Sequence, residues 1–226
     1  MNALISPLCS LLKSPIALLL MLSLGIGTVS FAAETAKLSI DKNNIKVWTI
    51  QDSQKPVLSY KAETVLDTSI ERAVAIVLDV EHAKTWIPNV AFAEVLSQDL
   101  NTGNFKMYMV LDFPFPLKDR DLIVQGKMSK DANGIIRIQN KATQQGKALQ
   151  PHYVRLKKYE GDWTFQKMAE NKVKVITSGY ADPEGVIPQS VTNLFVQQQP
   201  YQMLQKMKAE LAKPNKTLPE LPQILK

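Results

Sequence analysis

Asp119, Arg120 and Asp121 are the residues best suited to acid–base chemistry, because two carboxylates flank one guanidinium. Such a group could move protons if all three side chains met at one point. They sit where a strand is expected to begin, and successive side chains on a strand point to opposite faces. Asp121 therefore cannot share a face with Arg120. The expected role is structural, with Arg120 tying the preceding proline turn to a neighbouring strand. His82 and His152 have no histidine or carboxylate at ligand spacing, so no zinc site is expected. Neither a G-x-S-x-G elbow nor a phosphate-cradling glycine loop occurs after the first 32 residues, and nucleophilic catalysis has no visible machinery. An enzyme would have to draw on Arg137, Tyr180 and Asp182 inside a cavity. The expectation is a protein that is not an enzyme and needs no cofactor.

Composition narrows the class. The chain has 226 residues, 45% of them hydrophobic and 21% charged, which excludes a disordered chain, a collagen-like repeat and a multispan membrane protein. The net charge is +6, but only four of the 27 basic residues are arginine: Arg72, Arg120, Arg137 and Arg155. Nucleic-acid readers lean on clustered arginine, so nucleic acid is not an expected partner. Spread lysines suit solubility or attraction to anionic lipid head groups. Lys13 precedes an apolar run over residues 16–26, and Ser30 and Ala32 fit a small-x-small cut between Ala32 and Ala33. Residues 1–32 therefore read as a signal peptide, with the periplasm as the expected location. The one cysteine, Cys9, falls inside that leader. The remainder fits one domain, expected as a monomer.

The elements follow from periodicity. A polar stretch covers residues 33–44, and strands are expected over 45–51 and 57–66. Asp67-Thr68-Ser69 offers a helix cap, followed by Ile70, Ala73, Val74, Val77 and Leu78 at helical spacing. A second short helix covers 82–87. Strands are then expected over 91–97, 105–111, 122–128, 135–141, 153–168 and 173–180, with turns at Asn101-Thr102-Gly103-Asn104 and Asn133-Gly134. Gly126 and Gly179 lie within strands, where glycine allows a bend or a close approach. A helix over 188–212 carries the stripe Val191, Leu194, Phe195, Tyr201, Leu204, Met207 and Leu211, and Pro200 should kink or divide it. Residues 213–226 read as a proline-rich, poorly ordered tail. A curved antiparallel sheet covered by one long amphipathic helix leaves room for a cavity, and such cavities hold small apolar ligands.

Two parts of the chain then become candidates for binding. Met107, Met109 and Leu111 share one strand face, as do Trp163 and Phe165, and Val175 and Thr177. These faces line a cavity or fill a core; an apolar stripe alone does not separate the two. Leu194, Phe195, Gln198 and Tyr201 come from the helix stripe, and Arg137 would be a cavity cation or a solvated strand residue. Lys141, Lys147, Arg155, Lys157 and Lys158 concentrate charge near the loop over 142–151, where a membrane-docking rim beside the mouth is expected to gain about 1 kcal/mol per cation. That loop and the two short helices around His82 are the candidate gates.

Three ordered stretches carry a family resemblance. The first runs from Tyr108 through Asp112-Phe113-Pro114-Phe115-Pro116-Leu117-Lys118 to Asp119-Arg120-Asp121. The second is Tyr153-Val154-Arg155-Leu156 followed by Tyr159-x-Gly161-x-Trp163. The third is Asp182-Pro183-x-Gly185-x-Ile187-Pro188, followed by Asn193. Together they resemble START domains, the lipid-transfer domains related to steroidogenic acute regulatory protein. The resemblance implies an α+β helix-grip fold over residues 45–212, a curved antiparallel β-sheet wrapped round a long C-terminal helix with an internal hydrophobic cavity. It implies a lipid or other hydrophobic ligand as partner, carried without chemistry, and transient contact with an anionic membrane. It gives Asp119, Arg120, Asp121, Arg155, Asp182, Gly185 and Pro188 structural roles. The rival readings are a cyclase- or hydrolase-type enzyme on the same fold, and an exported interaction protein whose cavity is filled by its own side chains.

Overall fold

The computed structural model describes residues 34–214 and 216–226; the expected leader and its cut lie outside them. The chain folds as strands β1 (Thr35–Lys42), β2 (Ile45–Gln51) and β3 (Ser59–Leu66), then helix α1 (Ile70–Leu78) and a 3₁₀ turn (Val80–Thr85). Seven strands follow: β4 (Val90–Asp99), β5 (Asn104–Leu111), β6 (Arg120–Lys130), β7 (Ile136–Thr143), β8 (Val154–Arg155), β9 (Tyr159–Ala169) and β10 (Lys172–Ala181). The chain then enters helix α2 (Gln189–Asn193), a π turn (Leu194–Gln198) and helix α3 (Gln199–Leu211). The sheet runs β1-β2-β3-β10-β9-β7-β6-β5-β4, with every neighbour in that path antiparallel. Only β8 stands off it, pairing parallel with the start of β6.

Local chemistry explains the helix ends. Ser69 caps α1, its Oγ accepting from the Arg72 amide at 3.3 Å. Ile70, Ala73, Val74 and Ile76 are buried against the concave face of the sheet. From the other side α3 brings Met203, Leu204 and Met207 into the same core, where they meet Ile45, Val47, Phe165, Val173 and Val175.

Three expectations need correction. The polar stretch over 33–44 contains β1. It pairs with β2 from Thr35↔Gln51 to Lys42↔Ile45, and as an edge strand it is mostly solvated, so few of its residues are apolar. The long strand over 153–168 is two strands, β8 and β9, because the chain leaves β6 between them and crosses to β7. The tail is packed: Leu221 and Leu225 lie in the core, the turn Gln223–Leu225 lies on β6, and Lys130 Nζ donates to the Lys226 carbonyl at 2.9 Å. Proline excludes helix there, but spaced leucines still bury in an extended chain. Pro200 divides the helix as expected: it falls in the first turn of a new segment, α3, directly after the π turn, and lacks the N–H that an α-helical bond to residue 196 would use.

Candidate functional site

Two apolar chambers lie between the concave face of the sheet and the covering helices. The outer one, of about 150 Å³, is roofed by Phe195, Val196, Gln199 and Met203. Its floor comes from Met109, Leu111, Leu122, Trp163 and Thr177. The inner one, of about 90 Å³, lies under α1 between Val77, Leu78, Phe105, Met107, Met128 and Ile138. Ile87, Met109, Tyr159 and Trp163 line both and so form the partition. No Asp, Glu, Lys, Arg or His is among the described residues lining either chamber.

The outer floor is built on a pair of glycines. Gly161 of β9 and Gly179 of β10 face each other in register. A Cβ on Gly161 would lie 2.4 Å from the Tyr159 hydroxyl, and one on Gly179 would lie 2.4 Å from the Tyr60 ring and 2.8 Å from its hydroxyl. Glycine at both positions lets two tyrosine rings lie flat on the sheet. Burial pushes Tyr60 up to about 12, against a smaller opposing effect of its hydrogen bond with Thr177. Burial also pushes Tyr159 above the ordinary phenol range, and the neighbouring Tyr60 adds to this. Both therefore stay neutral hydroxyls at physiological pH.

Arg120 and Asp121 leave the β6 start on opposite sides, as strand geometry requires. Arg120 is 3% exposed and holds the mouth loops. Its Nε donates to Pro183 O at 3.2 Å, its Nη2 to Glu184 O at 3.3 Å, and its Nη1 to Lys118 O. The tie is to the loop after β10, not only to the proline turn. The guanidinium also lies 4.2 Å from the Phe113 ring centroid, and Phe113 stacks on Phe195 of the π turn at 4.5 Å. Asp119 Oδ1 accepts from the Phe113 amide at 2.9 Å, and Asp182 Oδ1 from the Glu184 amide at 3.1 Å. Glu184 and Gly185 both take positive φ, 57° and 76°, and Pro188 precedes the first turn of α2. These two clamped loops hold Phe115, 97% exposed, and Val186, 96% exposed, out in solvent.

Asp121 belongs to the convex side. Arg155 grips it bidentately, Nε to Oδ1 at 2.8 Å and Nη2 to Oδ2 at 2.7 Å, and the Tyr108 hydroxyl donates at 3.1 Å. Arg155 also donates to the carbonyls of Lys147 and Ala148, at 3.3 and 3.1 Å. The loop over 142–151 therefore covers the convex face and does not gate the chambers; a Cβ on its Gly146 would meet Lys106, Leu96 and Ile123. Of the expected basic rim, Arg155 is buried and Lys147 pairs with Glu94, whereas Lys141, Lys157 and Lys158 are exposed, Lys158 lying 3.7 Å from Asp182.

Of the expected cavity residues, Met109, Leu111, Trp163, Thr177 and Phe195 line the outer chamber, and Met107, Met109 and Trp163 the inner one. Phe165 and Val175 are fully buried core residues beyond the chambers. Arg137 points outward and pairs with Asp131 at 2.6 Å, since Ile136 and Ile138 take the inward positions of β7. Leu194 and Gln198 are exposed, and Tyr201 packs beside the core, accepting from Asn43 at 2.8 Å. The π turn is the reason: its wider turn slips the helix phase, so that Val196 and Gln199 face inward. Gln199 Nε2 donates to Pro88 O at 2.9 Å. Not expected to line the site were Tyr60, Tyr159, Gly161 and Asn140. The strand glycines Gly126 and Gly179 are the signal for Asn140 and Tyr60, because a glycine inside a strand marks a close approach, and Tyr159 and Gly161 stand in the resembling motif.

Among the described residues no helix is long and apolar enough to cross a membrane, and no group of three His, Cys, Asp or Glu could hold a metal ion. The START domain profile matches residues 35–217. An uncharacterized protein of Pseudomonas aeruginosa is 24% identical over 181 residues, 80% of this chain and 89% of that protein. The mitochondrial StAR-related lipid transfer protein 7 of Mus musculus is 23% identical over 169 residues; the match takes in 72% of this chain but only 45% of that protein. Among solved structures, a STAR-related lipid transfer protein from Xanthomonas axonopodis superposes with a TM-score of 0.72 at 24% identity, covering 79% of this chain and 99% of that one. Human STARD10 gives 0.69 at 19% identity, covering 79% and 74%. Both share the curved antiparallel sheet and C-terminal helix of the helix-grip fold. With its profile match spanning most of the sequence, this chain belongs to the START domain family, whose fold is suited to binding lipids or other hydrophobic ligands.

Proposed function

We propose that this protein is an exported carrier that takes a hydrophobic ligand from one membrane, holds it under α3 and delivers it to another. The observation that carries this reading is the pairing of two charge-free apolar chambers with a mouth whose tips, Phe115 and Val186, are almost wholly exposed. A large side chain held in water by a clamped loop loses apolar surface on entering a bilayer, gaining about 25 cal/mol per Å². The Phe113–Phe195 stack then becomes the latch between mouth loop and helix. A carrier reading is preferred over catalysis because the chambers offer tyrosine, threonine and amide groups but no carboxylate, imidazole or cation to move a proton. The leader over residues 1–32 supports a periplasmic location.

Transfer of a pyrene-labelled lipid between donor and acceptor vesicles tests the reading. The double variant Phe115→Asp/Val186→Asp should lose vesicle flotation and at least tenfold in transfer rate while still binding ligand from solution. Unchanged transfer would overturn the membrane step, and the amino terminus of the secreted protein, expected at Ala33, checks export.

A further inference from the structure

The concave face of the sheet loses its cover at one corner. On β4 the inward positions Val90 and Ala93 are 6% and 8% exposed, packed against Ala83 of the 3₁₀ turn. Val95 is the next inward position, opposite Met107, and it is 44% exposed. A bulge follows. The register shifts between Val95 and Ser97, which sets Gln98, and not Ser97, opposite the inward Phe105. Val95 and Gln98 nevertheless line the inner chamber, together with Leu78 and Val80 where α1 gives way to the 3₁₀ turn. β4 is the end of the sheet, and among the described residues no further strand closes the gap. Gln98 and Phe105 also border an open groove, so the inner chamber meets solvent at this corner.

An inward-facing valine left bare on an edge strand is unfavourable, and edge strands are normally charged or covered there. The lysines of the groove do not serve this corner. Lys106 and Lys127 take outward positions next to the inward Phe105 and Gly126, on the other face of the sheet. Among the described residues lining the chamber at the gap, none is charged and one, Gln98, is an amide. The apolar lining continues inward from the gap to the partition of Met109, Tyr159 and Trp163, and beyond it to the outer chamber. A hydrocarbon chain suits such a lining, and Met107, Met109 and Met128 are flexible enough to turn aside for it. We infer that the cavity has a second opening at the β4 edge, and that the hydrocarbon of a long ligand runs from the outer chamber through the inner one to end there, covering Val95. This rests on the reading of the protein as a container and adds where its contents end: the ligand's chain is not limited to the length of the two chambers.

Thiol protection tests it. Cys9 is the one cysteine of the chain, so in a Cys9→Ser background Val95→Cys carries a single thiol at the proposed opening. Thr192→Cys places one at the outer chamber, and Gln166→Cys one at an exposed position of β9. Maleimide labelling is timed with and without octadecanol supplied from cyclodextrin. The alcohol should slow labelling at 95 and at 192 at least tenfold and leave 166 unchanged. Protection at 192 with none at 95 overturns the inference, whereas protection at neither overturns the container reading beneath it. A second arm uses Val95→Asp, which sets a carboxylate where the chain would end. By native mass spectrometry this variant should bind octadecanol about tenfold more weakly than the wild type and decanol within twofold, since the shorter chain can stay in the outer chamber. Equal losses for the two alcohols, or a loss for neither, overturns the inference.

Discussion

The two faces of the sheet treat buried polar groups in opposite ways. On the convex side Asp121, Arg155 and Tyr108 form a closed network in which the carboxylate receives three donors and the guanidinium reaches two further carbonyls. On the concave side the chambers exclude charge, and among the described residues Asn140 Oδ1 is left without a donor. Adjacent residues of β6 share in this division, since Arg120 serves the mouth while Asp121 serves the outer network. A polar group that is fully paired stabilises; one left unpaired costs the fold its desolvation.

Breaking the convex network should have the largest effect. Arg155→Met strands a carboxylate that is 1% exposed, which costs about 3–5 kcal/mol and leaves little or no folded protein in urea titration. Replacing both partners, Asp121→Leu with Arg155→Met, should recover most of that loss, because no buried charge remains. Ligand uptake by the double variant should match wild type. If uptake fails while stability recovers, the two faces are not independent.

Two tyrosines sharpen the contrast at alkaline pH. The folded-state value of Tyr60, about 12, lies above the ordinary phenol value of about 10. The folded protein keeps that proton after the unfolded chain has lost it. Its contribution is therefore complete below about pH 10 and is lost as the pH rises towards 12, at a slope of about 1.4 kcal/mol for each pH step of one. Tyr60→Phe should flatten the alkaline limb of a stability–pH curve and change little at neutral pH. Tyr108→Phe should flatten that limb too, because burial and then the Asp121 carboxylate hold its hydroxyl above the ordinary phenol range, but it also removes a donor from Asp121 and should lower stability by about 1–2 kcal/mol at neutral pH. Identical profiles for the two variants would show that the faces do not differ in kind.

The elements are readable from local signals. Strand alternation, the Ser69 cap and the Asn133-Gly134 turn fix where most of the sheet and α1 begin and end. Strand alternation also places Asp121 opposite Arg120 without knowledge of any contact. What local signals do not carry is pairing across the fold. β1 looks polar because an edge strand is half solvated, and the tail's leucines are meaningless until the core they enter exists. Nor do they reveal that Asn140 Oδ1 lacks a donor among the described residues, since an orphaned oxygen is defined by everything that fails to surround it.

The π turn is where periodicity misplaces the site, and it supports the smallest prediction. At 3.6 residues per turn the stripe puts Leu194 and Gln198 inward, yet both are exposed, and Gln199 faces the outer chamber instead. One glutamine is solvated and the next donates to Pro88 O at 2.9 Å, joining α3 to the segment before β4. Gln198→Ala should therefore change stability by no more than about 0.5 kcal/mol, as a surface substitution does. Gln199→Ala should lose about 1 kcal/mol, the net worth of a part-buried hydrogen bond, and should loosen the mouth at the same time. The pair forms an internal control, because residue type, helix and neighbours are shared and only the phase differs. A regular α-helix through Pro200 would reverse the order, so the two urea midpoints measure which residue the π turn has turned inward.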